Sequence, residues 1–404
     1  MRVGEAKERE RPIMSGLALA LVWWSVVSLA LICVVLAERR ARVILRGDRP
    51  ELSPPRRVWG GDLDEPPGAY IFARITAAGA RLVRVGSVIA DQAQGLMAVT
   101  RVVSCVALGS ALALVPFAGN LGGRREGLAL VVFDLRYGLL ALVFFVLLAG
   151  MAQVGVGLAQ KSVWSRFGSI RVASRMLGGL ALLTLVLAPL AIESGSLRLA
   201  DLVWQQQQTF TPFAWLAATL FPSFEKTLSV ISLPSWHLLT QPITALLFIP
   251  AMGFLTRRPV ADDPVAGGFA TSGFGFDADP ADLYWGQAES RIALVLFASL
   301  FVALFLGAGQ IPYLNSSELV AVMGEFVGDE LPAIVIAGIE AHVFFVKLLF
   351  VLGLLMRIRR VTARIREDQW LRLVTRRLLP IAWANLLLVA AIALLSDSLG
   401  RGAT

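Results

Sequence analysis

Long apolar stretches alternate with short charged ones along almost the whole chain. Runs of about 17 to 25 residues, the length a helix needs to cross a hydrocarbon layer, fall at roughly 14–37, 94–117, 128–150, 176–192, 237–255, 292–309, 331–356 and 378–395. The pattern predicts an all-α polytopic membrane protein with eight transmembrane helices. The first run follows the mixed-charge segment MRVGEAKERERPIM and shows no small-residue cleavage site before the next charge cluster. It is longer than a signal-peptide core and is kept as a helix. One membrane domain, residues 14–396, is expected between polar tails at 1–13 and 397–404, with cytoplasmic loops at about 38–93, 151–175, 256–291 and 357–377.

The segments between the runs differ in kind. In the first loop, AYIFARITAAGARLVRVGSVI mixes Tyr70, Phe72, Ile75, Leu82, Val85 and Ile89 with Arg74, Arg81 and Arg84, the composition of interfacial helices. The loop from 256 to 291 is rich in Gly, Pro and Asp, which rules out one continuous helix. Within it, Asp277, Asp279, Asp282 and Glu289 read as a solvated loop. Beyond 192 a polar stretch precedes an aromatic run too short to span, which is expected to skim the outer surface.

Apolar residues make up 56% of the chain and charged ones 16%, a balance that excludes an ordinary soluble domain. Its net charge of +8 is unevenly placed. The loops after the first, third, fifth and seventh runs hold 25 Lys and Arg, and the other connections and tails hold 9. By the positive-inside rule both termini face outward. The basic face is then positioned to meet anionic lipid or a partner subunit.

Redox chemistry has little to stand on. Two cysteines, Cys33 and Cys105, both in apolar runs, cannot supply the four thiolates of a usual iron–sulfur cluster. The two histidines sit at unequal depths: His237 opens the fifth run, and His342 lies about 16 Å into the seventh at 1.5 Å per residue. No bound metal and no covalent cofactor are expected. Intramembrane charge is the stronger signal. Glu340 and Lys347 are seven residues apart, hence on one helix face but about 10.5 Å apart along the axis. Arg101 in the second run is a candidate partner for Glu340.

Four places carry a resemblance to a known family. The first helix ends AERRARVILRGDRP, similar to A-E-R-K-x-x-A-x-x-Q-x-R-x-G-P; the third run opens FDLRYGLL, similar to D-L-N-x-G-L-L. The 256–291 loop begins TRRPVADDPVAG, a shortened form of N-R-x-P-F-D-x-x-E-x-E-x-E-L-V-A-G. The last loop, ARIREDQWLRL, is similar to R-x-R-Y-D-Q-L-M, with Glu367 in place of tyrosine. The chain thus resembles, as a divergent member, the membrane subunit of NADH:quinone oxidoreductase (respiratory complex I) known as subunit 1 or the H subunit.

The resemblance implies a redox-centre-free subunit of a proton-translocating NADH:quinone oxidoreductase in a bacterial inner membrane. Quinone is the implied substrate. Iron–sulfur clusters and FMN belong to partner subunits, alongside antiporter-like and small membrane subunits. Glu38, Arg39, Arg257, Arg366 and Asp368 match positions that line the quinone chamber. Asp262 and Asp263 match two of the carboxylates that start a proton path, with Glu340 and Lys347 as further coupling groups. Two of the family's buried glutamates are replaced, by Leu180 and Ser299, so a route through those positions must be rebuilt or absent. These losses keep two alternatives open: the homologous subunit of a membrane-bound hydrogenase or related ion-translocating oxidoreductase, and a non-pumping scaffold paralogue.

Overall fold

The computed structural model describes residues 23–33, 92–118, 130–160, 163–207, 209–210, 233–253, 280–311, 330–361 and 367–402. Helices dominate: α1 Trp23–Cys33, α2 Gln92–Ala113, α3 Gly138–Leu158, α4 Val163–Ser194, α5 Leu199–Gln205, α6 His237–Thr240, α7 Pro242–Met252, α8 Pro280–Phe305, α9 Glu330–Val361, α10 Glu367–Leu373 and α11 Leu379–Gly402. A π-helical turn, Val374–Leu378, joins the last two. Two-residue strands β1, Thr209–Phe210, and β2, Leu233–Pro234, pair antiparallel with Thr209 opposite Pro234. Each of the eight predicted runs contains an apolar helix. Among the described residues, six helices are long and apolar enough to cross a membrane, while α1 and α7 are shorter. The protein is an integral membrane protein.

The helix ends depart from the apolar runs for local reasons. Residues 130–137 fold back on α2 before α3 begins, with Phe117 N–H donating to the Leu130 carbonyl at 3.1 Å and Phe133 N–H to Ala113 at 3.0 Å. The polar Asp134 and Arg136 stand in that connection, so α3 starts later than its hydropathy suggests. The fourth helix begins far earlier than 176, because Arg166 and Arg171 point outward from one face while Ser165, Ser169 and Val172 are buried on the other. An amphipathic turn of this kind lowers mean hydropathy without breaking the helix.

The core is arranged around α8. From Ala293 to Phe305 nearly every side chain is fully buried, as expected for a helix apolar on all sides. Phe248 of α7 packs edge-on against Phe297 at 6.3 Å between ring centroids, and against Phe305 at 5.3 Å. On the other flank Trp23 pins α1: its Nε1 donates to the Leu112 carbonyl at 3.0 Å, and its ring stacks on Phe117 at 5.4 Å. By contrast α11 presents Ile381, Trp383, Leu387, Leu388, Ile392 and Leu394 outward, a surface suited to lipid. The exit of α8 is a tight reversal. Gly307 has φ +65° and Ala308 φ +48°, and Ala308 N–H reaches back to the Val302 carbonyl at 3.0 Å, closing a seven-residue turn through left-handed backbone.

Candidate functional site

Two buried polar centres lie along α8, one in its third turn and one at its exit, about 24 Å apart by helix rise from Glu289 to Phe305. The first joins α2 to α8. Arg101 Nη1 donates to Glu289 Oε2 at 2.9 Å, with the two side chains 3% and 0% exposed. Isolated charges would be very costly in such surroundings, and the charge-assisted bond offsets part of that cost. Ser104, one turn along α2, and Gln153 of α3 are also buried. Arg101 Nε, Ser104 Oγ and Gln153 Nε2 have no hydrogen-bond partner among the described residues. Arg175 of α4 and Arg291 of α8 add two buried guanidinium groups to this half of the bundle.

At the other end, Lys347 of α9 points its ammonium at the reversal after α8. Its Nζ donates to the carbonyls of Leu306 at 2.7 Å, Ala308 at 3.0 Å and Gln310 at 2.7 Å, and lies 4.6 Å from the centre of the Trp236 ring. An ammonium has three donors and all three are used. Neighbouring groups satisfy the remaining backbone. Gln206 donates to the Ala303 carbonyl and accepts from Gly307 N–H, each at 2.9 Å, while Gln310 Nε2 donates to Val203 at 2.7 Å. The negative end of the α8 dipole is therefore met by a cation and two amides. Gly309 lies against the backbone of Glu340, leaving no room for a Cβ.

A short polar chain runs sideways from this cluster. His237 Nδ1 lies 2.8 Å from the Leu304 carbonyl, so that nitrogen carries the proton and donates. Its Nε2 faces a Glu193 oxygen at 3.9 Å. Gln241 donates to Glu193, Thr244 to Gln241 at 2.9 Å, and Asn385 of α11 to Thr244 at 2.8 Å. Nearer the surface Arg198 grips both oxygens of Asp134, with Nε 2.9 Å from each. This hydrogen bonding raises the Arg198 value further.

The sequence-derived residues divide sharply. Glu340 and Lys347 share a face of α9 as their spacing requires, and both meet the exit of α8. Arg101 pairs with Glu289, not Glu340, because α2 packs on the first half of α8 whereas Glu340 lies beside its far end. Glu289 is likewise not in a solvated loop: α8 starts at Pro280 and the carboxylate faces the interior. The signal was the stretch YWGQAESRIALVL, which continues a helix into the apolar run with Gly286 as its only turn-type residue apart from Ser290. Ser299 spends its hydroxyl on the Leu296 carbonyl at 2.8 Å. Glu38, Arg39, Arg257, Asp262, Asp263 and Arg366 lie outside the described residues, as do the expected interfacial helices; Asp368 is in α10, its side chain outside them.

The NADH dehydrogenase family model matches residues 67–390, a range that takes in α2 through the first half of α11. Among curated proteins, the NADH-quinone oxidoreductase H subunit of Thermomicrobium roseum is 25% identical over 284 residues, covering 68% of this chain and 69% of the relative. The NADH-quinone oxidoreductase H subunit 2 of Geobacter sulfurreducens is 25% identical over 279 residues, covering 68% and 69%. The corresponding H subunit of Ehrlichia canis is 24% identical over 298 residues, covering 72% and 69%. With charged centres inside an apolar bundle and the match spanning most of its length, the chain belongs to the NADH dehydrogenase family, the family of the H subunit of NADH-quinone oxidoreductase.

Proposed function

We propose that this protein is the H-type membrane subunit of a proton-translocating NADH:quinone oxidoreductase, with eight spans, both termini outside, in a bacterial inner membrane. The family match over the bundle is the observation on which this reading rests. The subunit supplies the membrane side of the quinone chamber and the start of the proton path, while partner subunits bring FMN and iron–sulfur clusters. Quinone reduction consumes two electrons and two protons. The electrons come from the partners; polar groups at the cytoplasmic ends of the helices orient the head, with Glu38, Arg39, Arg257, Arg366 and Asp368 in that role. Asp262 and Asp263 pass protons toward the buried carboxylates, among them Glu340. Lys347 holds the exit of α8 beside Glu340 and acts on the path by position.

The names of the relatives favour this reading over a hydrogenase-type complex or a scaffold paralogue. Its test is NADH:quinone reductase activity and proton uptake in native membranes carrying Asp263→Asn or Arg39→Ala. The first change is expected to lower proton uptake, the second to weaken binding of a quinone-site inhibitor. Unchanged uptake and unchanged inhibitor affinity together would remove both residues from the chamber and the path.

A further inference from the structure

The Arg101–Glu289 pair does more than close the core, and this inference rests on the coupling role proposed above. We propose that it is a hydrated proton-exchange site between α2, α3 and α8, in which Glu289 takes up and releases the proton. The pair is fully buried in the bundle near one end of the candidate spans Leu96–Ala113 and Ala288–Phe305, and buried ionisable groups in such segments are most often functional. Stability alone gives weak reason for it, since two apolar side chains of similar volume would serve the fold as well or better.

The surroundings point to water. Arg101 Nε, Ser104 Oγ and Gln153 Nε2 are buried polar atoms with no partner among the described residues. Buried polar atoms without protein partners are the groups that internal water molecules satisfy. Close packing sets their level: a Cβ on Gly155 would meet Thr100, and one on Gly150 would meet Met176. Gln153 on α3 and Arg175 on α4 therefore lie within about a turn of Arg101 along the bundle.

Proton exchange follows from the balance of forces. Burial disfavours an ionised carboxylate, and a guanidinium beside it favours one. The Glu289 carboxylate is 2.9 Å from Arg101, and Arg175 and Arg291 are further buried cations in this half of the bundle. A proton delivered by water forms an O–H bond on Glu289, breaks the ion pair with Arg101 and leaves hydroxide to be neutralised along the water chain; release reverses each change. A negative charge appearing nearby, such as a reduced quinone before protonation, lowers the cost of loading. The exchange faces the end where α8 begins, because from Ile292 onward the helix offers no titratable side chain up to Phe305.

The test compares Glu289→Gln with the double variant Arg101→Met and Glu289→Met in the assembled complex. Protons moved per NADH oxidised are measured in inverted membrane vesicles, together with the amount of assembled complex. The single variant strands a buried guanidinium and is expected to reduce assembly. The double variant is expected to restore assembly while the proton ratio falls to half or less of wild type. A double variant that assembles and keeps the wild-type ratio overturns the proposal. If neither variant assembles, infrared difference spectra on quinone reduction decide with Glu289→Asp: a carboxyl band shifted from wild type supports the site, and an unshifted spectrum overturns it. Failure of the wider functional reading looks different, since wild-type vesicles would then show no proton movement dependent on this chain.

Discussion

The third turn of α8 and its exit bury a positive charge in opposite ways. In the third turn, Arg101 meets a carboxylate, a group able to gain or lose a proton, on a helix level with polar atoms left without protein partners in the described residues. At the exit, Lys347 meets three backbone carbonyls that cannot titrate, in a cluster where two glutamines satisfy the neighbouring backbone. The first arrangement can change its charge state; the second fixes a backbone reversal against α9. Buried charge in one helix thus divides into chemistry and architecture according to the partner it is given.

Breaking the first end should have the largest effect. Removing one partner of a buried pair leaves the other uncompensated, which typically costs about 3–5 kcal/mol. Glu289→Gln should therefore sharply lower the thermal-inactivation midpoint of the solubilised complex, and an unchanged midpoint would show the pair to be wetter than its burial implies. At the second end, Lys347→Met removes three donors from a helix terminus, and a hydrogen bond to a charged group is worth about 1.5–3 kcal/mol. Faster proteolysis near residues 306–310 is expected, with the proton ratio of intact complexes preserved better than in the Glu289 variants. Lys347→Arg should not restore resistance, because a planar guanidinium cannot reproduce three converging ammonium bonds.

His237 sharpens the comparison by serving the exit of α8 without a charge. His237→Phe keeps a ring of similar breadth but removes the donor to the Leu304 carbonyl, and an acceptor left unsatisfied in the interior costs about 1–3 kcal/mol. The midpoint should fall by less than in Glu289→Gln, and His237→Gln, which retains a donor, should recover part of the loss. Equal midpoints for wild type and His237→Phe would assign the closure of this end to Lys347 and the glutamines alone. The smallest effect belongs to the surface: Asp134→Asn weakens a part-exposed pair with Arg198 and should cost only about 0.2–1 kcal/mol, read as a slight midpoint shift.

Hydropathy made most of the bundle legible, because an apolar run of spanning length has few alternatives to a helix. Each predicted run contains one, and the face shared by Glu340 and Lys347 followed from their spacing alone. Helix ends were less visible. The start of α4 hides in an amphipathic turn around Arg166 and Arg171, and α3 is delayed by hydrogen bonds from residues 117 and 133 that only the folded chain creates. Glu289 was misread because nearby aspartates, glycines and prolines made its whole segment look solvated, although α8 had already begun. Partner choice was least legible. Nothing in the spacing says that Arg101 faces α8, that Lys347 seeks backbone carbonyls, or that His237 is closed over by α4 and the end of α8.

The most direct test of the functional account is NADH-driven proton uptake by inverted membrane vesicles prepared with and without this chain. Uptake should vanish in its absence and return when the wild-type chain is supplied again. Vesicles that take up protons equally well without it would contradict the assignment.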